Sequence, residues 1–221
     1  MTGRSGGDDT WPVVLRRILT ERKSTNRFSE AAVEVKIWQR ELPSVDAVRP
    51  GRCPGCGNAG APAGGRVGLV GHGLRSRDVR GPAEVSGEPV EGTVVLRRYR
   101  CRSCTAVVTV GPRGLVHRRL YTAPAIALAL MLWSCEDVSA PAVRRRISPL
   151  RRMGDAAASG WASLRRWAQA ATGGSMWPGL AARTEPTLRR CSARVVGLVA
   201  ARTVPVGSLP ARVFAGAHLL R

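Results

Sequence analysis

Two cysteine pairs, Cys53-Pro-Gly-Cys56 and Cys101-Arg-Ser-Cys104, constrain this chain more than any other feature. Thiolates two residues apart grip one side of a tetrahedral metal, and two such pairs complete the coordination of a structural zinc ion. The stretch Cys53-Pro54-Gly55-Cys56-Gly57 has the knuckle form Cys-Pro-x-Cys-Gly, in which Pro and Gly permit a tight turn that aims backbone N–H groups at sulfur. The second pair closes an arginine-rich strand, Arg97-Arg98-Tyr99-Arg100. The pairs are separated by 44 residues, well beyond the usual spacing. Each doubling of a loop costs only about 0.6 kcal/mol, against roughly 10–16 kcal/mol from structural zinc, so the intervening segment can form an extended arm. Four thiolates and Zn²⁺ leave a net negative charge, which Arg52, Arg100 and Arg102 flank and offset. A vestigial, unmetallated site is the alternative. Thiol redox chemistry is disfavoured because neither pair lies in a thioredoxin-like βαβ context.

Charge is the second constraint. The 221 residues carry a formal charge of +20 with a pI near 11.6. Residues 1–91 hold 14 Lys+Arg and 11 Asp+Glu, whereas residues 92–221 hold 21 Arg and 4 acids. Codon bias accounts for Arg over Lys but not for the shortage of acids after Gly92. A half of that imbalance calls for a polyanion: nucleic acid first, an anionic membrane surface second. The longest apolar run, Ala123 to Trp133, is too short to span a bilayer, and the polar N-terminus lacks a secretory h-region. A cytoplasmic, nucleoid-associated protein is expected, where reduced thiols favour metal over disulfide.

The predicted fold class is α+β: a small β-rich zinc ribbon followed by an all-α, helix-turn-helix-like bundle. Residues 1–49 form an N-terminal segment, partly disordered over 1–10. Trp11 to Glu41 is ambiguous, since Ser29-Glu-Ala-Ala suits a helix start while Val33, Val35 and Ile37 alternate as in a strand. Residues 50–114 are the ribbon, with strands over Arg66–Val70, Leu74–Val79, Thr93–Tyr99 and Ala106–Val110 between Gly and Pro turns. Residues 115–173 are the helical domain. Its helices are Ala123–Trp133 with Thr122 as N-cap, Val138–Ile147 with Ser139 as cap, and Trp161–Ala171 stopped by Gly173-Gly174. Residues 174–221 are a helical tail, with helices over Glu185–Arg202 and Leu209–Leu220. Cys135 and Cys191 are expected as small buried apolar residues. His72, His117 and His218 lack ligand spacing; His72 is expected in a solvated loop.

The helical segment carries the candidate DNA-binding residues. On Trp161–Ala171, Trp161, Leu164, Ala168 and Ala171 share a core face, leaving Ala162, Arg165, Arg166 and Gln169 outward. Arg pairs with guanine O6/N7 and Gln with adenine N6/N7, as a helix in the major groove requires. Arg144, Arg145, Arg146, Arg151 and Arg152 suit phosphates. The bland alternative for each cluster is a solvated helix face. The stripe Leu188, Cys191, Val195, Leu198 and Val199 either completes the core or offers a homodimer contact.

The string from Arg97 to Gly114, with Cys53-Pro-Gly-Cys56 upstream and Tyr121-Thr-Ala-Pro-Ala-Ile-Ala-Leu-Ala-Leu130 downstream, resembles a bacterial zinc-ribbon family of unknown function. Members look like the N-terminal DNA-binding parts of insertion-sequence transposases. Over residues 50–171 the resemblance implies zinc at Cys53, Cys56, Cys101 and Cys104 and double-stranded DNA as the partner of the helices. A DDE transposase needs three carboxylates on a core of strands, yet only Glu136, Asp137, Asp155 and Glu185 follow Gly92. The reading is therefore non-enzymatic: a DNA-binding component that works with a separate DDE-type chain or survives from a truncated element. A transposase or nuclease with a cryptic carboxylate site is one alternative, and a ribbon adaptor for RNA or protein is another.

Overall fold

The computed structural model describes residues 26–182 and 184–220. Residues 1–10 and the part of the ambiguous stretch before Asn26 lie outside them. The described chain is mixed α+β, with a four-stranded sheet and a helical layer.

The sheet order is β1-β4-β3-β2, from β1 (Asn26–Glu34), β2 (Leu69–Pro82), β3 (Pro89–Cys101) and β4 (Val107–Arg113). The arm between the cysteine pairs is one long antiparallel hairpin. Leu69 pairs with Cys101 at its base and Pro82 with Pro89 at its tip. The two short strands expected at 66–70 and 74–79 are thus one strand, interrupted by a bulge between Gly71 and Leu74 that includes Gly73 at φ 91°. His72 lies exposed on that bulge.

The ambiguous stretch before Glu41 is both things in succession. β1 pairs in parallel with β4, and α1 (Val35–Arg40) follows at once, taking Val35 and Ile37 out of the expected alternation. A parallel partner so far along the chain supplies hydrogen bonds that no local pattern announces. Trp38 of α1 is buried and donates from Nε1 to the carbonyl of Val95 at 2.7 Å, packing α1 on the sheet. Tyr99 Oη and Arg97 Nε donate to the carbonyls of Val45 and Pro43, each at 2.6 Å, which holds the segment before Cys53 against β3.

The helical layer consists of α2 (Ala123–Ser134), α3 (Ala140–Ile147), the single turn α4 (Asp155–Ala158), α5 (Ala162–Thr172), α6 (Leu188–Ala200) and α7 (Leu209–Ala217). Residues 123–131 of α2 are buried on every side, as a helix apolar all round must be. The Thr122 hydroxyl caps α2 by accepting from the Ala125 N–H at 3.3 Å; Ser139 stands at the N-cap of α3 without a side-chain cap bond. One apolar core runs from Tyr121 to Leu220. It draws on the segment expected as a helix-turn-helix and on the one expected as a tail. The expected stripe on α6 faces that core through Leu188, Val195 and Val199; Cys191 is buried, while Leu198 is exposed. Cys135 corrects expectation: as the C-cap of α2 it is exposed.

The two layers meet at the hairpin tip. A Cβ on Gly81 would stand 2.4 Å from the Ala125 methyl, so β2 reaches α2 at a distance only glycine permits.

Candidate metal centre and basic surface

Both knuckles are built alike. In the first, the Gly57 N–H donates to the Cys53 carbonyl and the Cys53 N–H to the Asn58 carbonyl, both at 2.8 Å. In the second, Thr105 donates to Cys101 at 3.0 Å and Cys101 to Ala106 at 2.9 Å. The equivalent residues Gly57 and Thr105 are both left-handed, at φ 76° and 58°. For a β-branched residue that conformation is strained.

These turns bring the four Sγ atoms within 4.8 Å of one another. Cys53–Cys104 and Cys56–Cys101 are each 3.7 Å apart. A tetrahedron with metal–sulfur bonds near 2.3 Å has edges of about 3.8 Å, so the set fits one ion. Cys53 and Cys101 are buried, Cys104 half-buried and Cys56 exposed. Backbone donors favour thiolate. The N–H of Cys104, with that of Ser103, outweighs burial and lowers Cys101 to about 6. At Cys56 the Asn58 N–H also favours the anion, but desolvation and the other three sulfurs push the thiol up to about 12. Crowded sulfurs that resist joint ionisation become compatible once a cation sits among them. Arg52 donates to the Gly57 carbonyl at 3.2 Å and so braces the first knuckle, while Arg100 and Arg102 are exposed.

Among the described residues, these cysteines are the one group of three or more metal-ligating side chains. Asp137 pairs with Arg189, and Glu185 lies 3.6 Å from Arg194.

The candidate DNA-binding residues divide into two sets. Arg165, Arg166 and Gln169 are exposed on α5, opposite the buried Leu164, Ala168 and Ala171. Arg145, Arg151 and Arg152 are exposed, with Arg151 3.6 Å from Glu88. Arg144 is a correction. It is buried and donates to the carbonyls of Ala156 and Ala157 at 2.9 and 2.8 Å, so it fixes the loop after α3 and faces no solvent partner. Arg146 likewise clasps the hairpin tip through the carbonyls of Gly87 and Val85, at 2.8 and 2.7 Å. Between α3 and α5 lie residues 148–161, including α4, a longer connection than the tight turn of a helix-turn-helix.

A cleft of about 410 Å³, not expected from the sequence, has six arginines on its wall: Arg80, Arg118, Arg119, Arg144, Arg152 and Arg166. The turn carrying Arg118 and Arg119 is zipped to β2 by Arg80 N–H to Leu120 and Thr122 N–H to Arg80, at 2.8 and 3.2 Å. Arg77, its guanidinium held below the usual arginine range by burial and then by Arg75, donates to the carbonyls of Val116 and Arg119 beneath that turn. The pair Arg118-Arg119 is visible in the sequence; its meeting with Arg152 and Arg166 depends on the Arg80–Tyr121 bridge.

Fold and site define an α+β protein with a four-cysteine cluster, spaced to hold a metal ion, at the base of a long hairpin and a basic helical layer at its tip. No family model, curated protein or solved structure matches the chain. No helix of the described residues is long and apolar enough to cross a membrane.

Proposed function

We propose that this is a DNA-binding protein scaffolded by one structural zinc ion at Cys53, Cys56, Cys101 and Cys104, with no catalytic centre of its own. Four converging sulfurs with inward backbone donors suit zinc over harder cations. When bound, the ion neutralises the thiolates and locks the hairpin base. The observation that carries the nucleic-acid reading is the outward α5 face, Arg165, Arg166 and Gln169, in a half of the chain with 21 Arg and 4 acids. Such a face suits base edges in the major groove, with Arg145, Arg151 and Arg152 on phosphates. α3 and α5 flanking α2 act as an open variant of the helix-turn-helix. A separate DDE-type transposase chain is the partner that would supply strand transfer.

The test is metal analysis joined to duplex binding. Purified protein should hold one zinc per chain and bind duplex DNA, with affinity falling linearly on a log–log plot against salt. Arg165→Ala with Gln169→Ala should weaken the preferred duplex more than other sequences. Zinc retained after Cys53→Ser and Cys101→Ser would refute the ligand set.

A further inference from the structure

We infer that the arginine-walled cleft beside Trp161 seats an unpaired nucleotide of single-stranded DNA, its phosphates among Arg118, Arg119, Arg152 and Arg166 and its base against Trp161. The inference rests on the reading that the protein binds nucleic acid; the cleft borders the outward α5 face at Arg166 and adds Arg118, Arg119 and Trp161, which that face does not use.

Most of the cleft's charge is unspent: among the described residues, no carboxylate lines it. Arg80 is engaged with Glu91 at 2.7 Å, and Arg144 is committed to backbone carbonyls. Among the described residues, no carboxylate lies within ion-pair distance of Arg118, Arg119, Arg152 or Arg166. Four like charges converging on one concavity repel unless an anion joins them. Guanidinium forks match phosphate oxygens in geometry as well as charge.

The wall beside them is aromatic. Trp161, Trp167 and Tyr121 meet edge to face with centroids 4.8–5.7 Å apart. Trp167 and Tyr121 are buried, whereas Trp161 is half-buried and borders the cleft. Tyr121 is pinned by its 2.7 Å hydrogen bond to Ser148 Oγ, so the platform is rigid. Arginines beside an aromatic face are the arrangement that holds single strands, each base stacking while its phosphates are neutralised. A duplex keeps its base faces stacked on one another and has none to offer Trp161.

A second observation points to the same place. Arg118 is held at φ 59°, the left-handed region that costs a non-glycine residue. The bonds from Arg77 and Arg80 that enforce this turn keep it on the cleft's edge. Strain retained beside unpaired charge is characteristic of binding sites.

The experiment uses the full zinc-loaded chain with two probes, a short fluorescein-labelled oligothymidylate and a mixed-sequence duplex, read by anisotropy over a salt series. Arg118→Gln with Arg119→Gln, both outside the proposed duplex face, should lower oligothymidylate affinity at least tenfold. It should also make the log–log salt slope shallower by about 1.4, as expected for two single-strand phosphate contacts. Duplex affinity should change far less. Oligothymidylate should quench tryptophan emission in the natural protein, and Trp161→Phe should abolish that quenching. Unchanged oligothymidylate affinity in the double variant, or quenching that persists in Trp161→Phe, overturns the cleft assignment while duplex binding keeps the wider reading. Equal loss on both probes also overturns it, making the cleft a general phosphate contact. Failure of the natural protein to bind either probe overturns both.

Discussion

The sheet and the helical layer solve the same problem by different means. Among the described residues the sheet buries twelve apolar side chains in its cluster, two of them cysteines of the four-sulfur group, and β2 presents half of its length to solvent. The helical layer buries twenty-six, centred on α2. A layer with a small core needs a staple, and the four sulfurs stand where Leu69 meets Cys101 at the hairpin base. The helical layer needs none and is free to spend its surface on arginine. In the proposed function the metal belongs to architecture, and the charge to binding.

Metal removal should break this comparison most visibly. Chelation, or Cys53→Ser with Cys101→Ser, should remove hydrogen-exchange protection from the β2–β3 amides while α2 amides keep theirs, since structural zinc contributes roughly 10–16 kcal/mol. Equal loss in both layers would mean that they fold as one unit. The converse probe is Leu130→Ala, a fully buried position in α2. It should cost about 2–5 kcal/mol in the helical layer and leave zinc stoichiometry at one.

Thr105→Gly tests whether the knuckles are equivalent. Placing glycine where the first knuckle already has Gly57 should relieve left-handed strain and raise stability by about 0.5–1 kcal/mol net of glycine's greater unfolded freedom. Denaturant midpoints of the zinc-loaded protein would show the gain, and a loss would mean that the Thr105 side chain contributes more than its strain costs.

The smallest effect lies at His218, where α7 ends. Burial, with Lys36 adding to it and Glu34 opposing it, holds this imidazole below its ordinary value. The unfolded chain then takes up a proton that the folded chain refuses, so stability is full above about pH 6.5 and declines on acidification. His218→Leu should flatten the pH dependence of thermal unfolding between neutral and mildly acidic buffer.

Much of this was legible in the sequence, and the residues show why. The cysteine pairs carry their own geometry, and the α5 periodicity sorted Leu164 and Ala168 from Arg165 and Gln169. Local patterns suffice for both. The parallel pairing of β1 with β4 joins distant segments, and Val33, Val35 and Ile37 hold no record of the partner. The arginines teach a similar lesson. Arg144, Arg145 and Arg146 are consecutive and chemically identical, yet one is buried under α4, one is exposed and one clasps the hairpin tip. Their roles come from the carbonyls that neighbouring loops present. The cleft arose the same way, from an Arg118-Arg119 turn brought to Arg152 and Arg166 by a strand that ends elsewhere.

The central claim, a zinc-stapled sheet that supports a nucleic-acid-binding helical layer, is tested most directly by duplex-DNA anisotropy on zinc-loaded protein across a salt series. The account predicts tight binding at low salt and a log–log slope of about −0.9 for each phosphate neutralised. No detectable binding at low salt, with one zinc per chain and native circular dichroism, would contradict it.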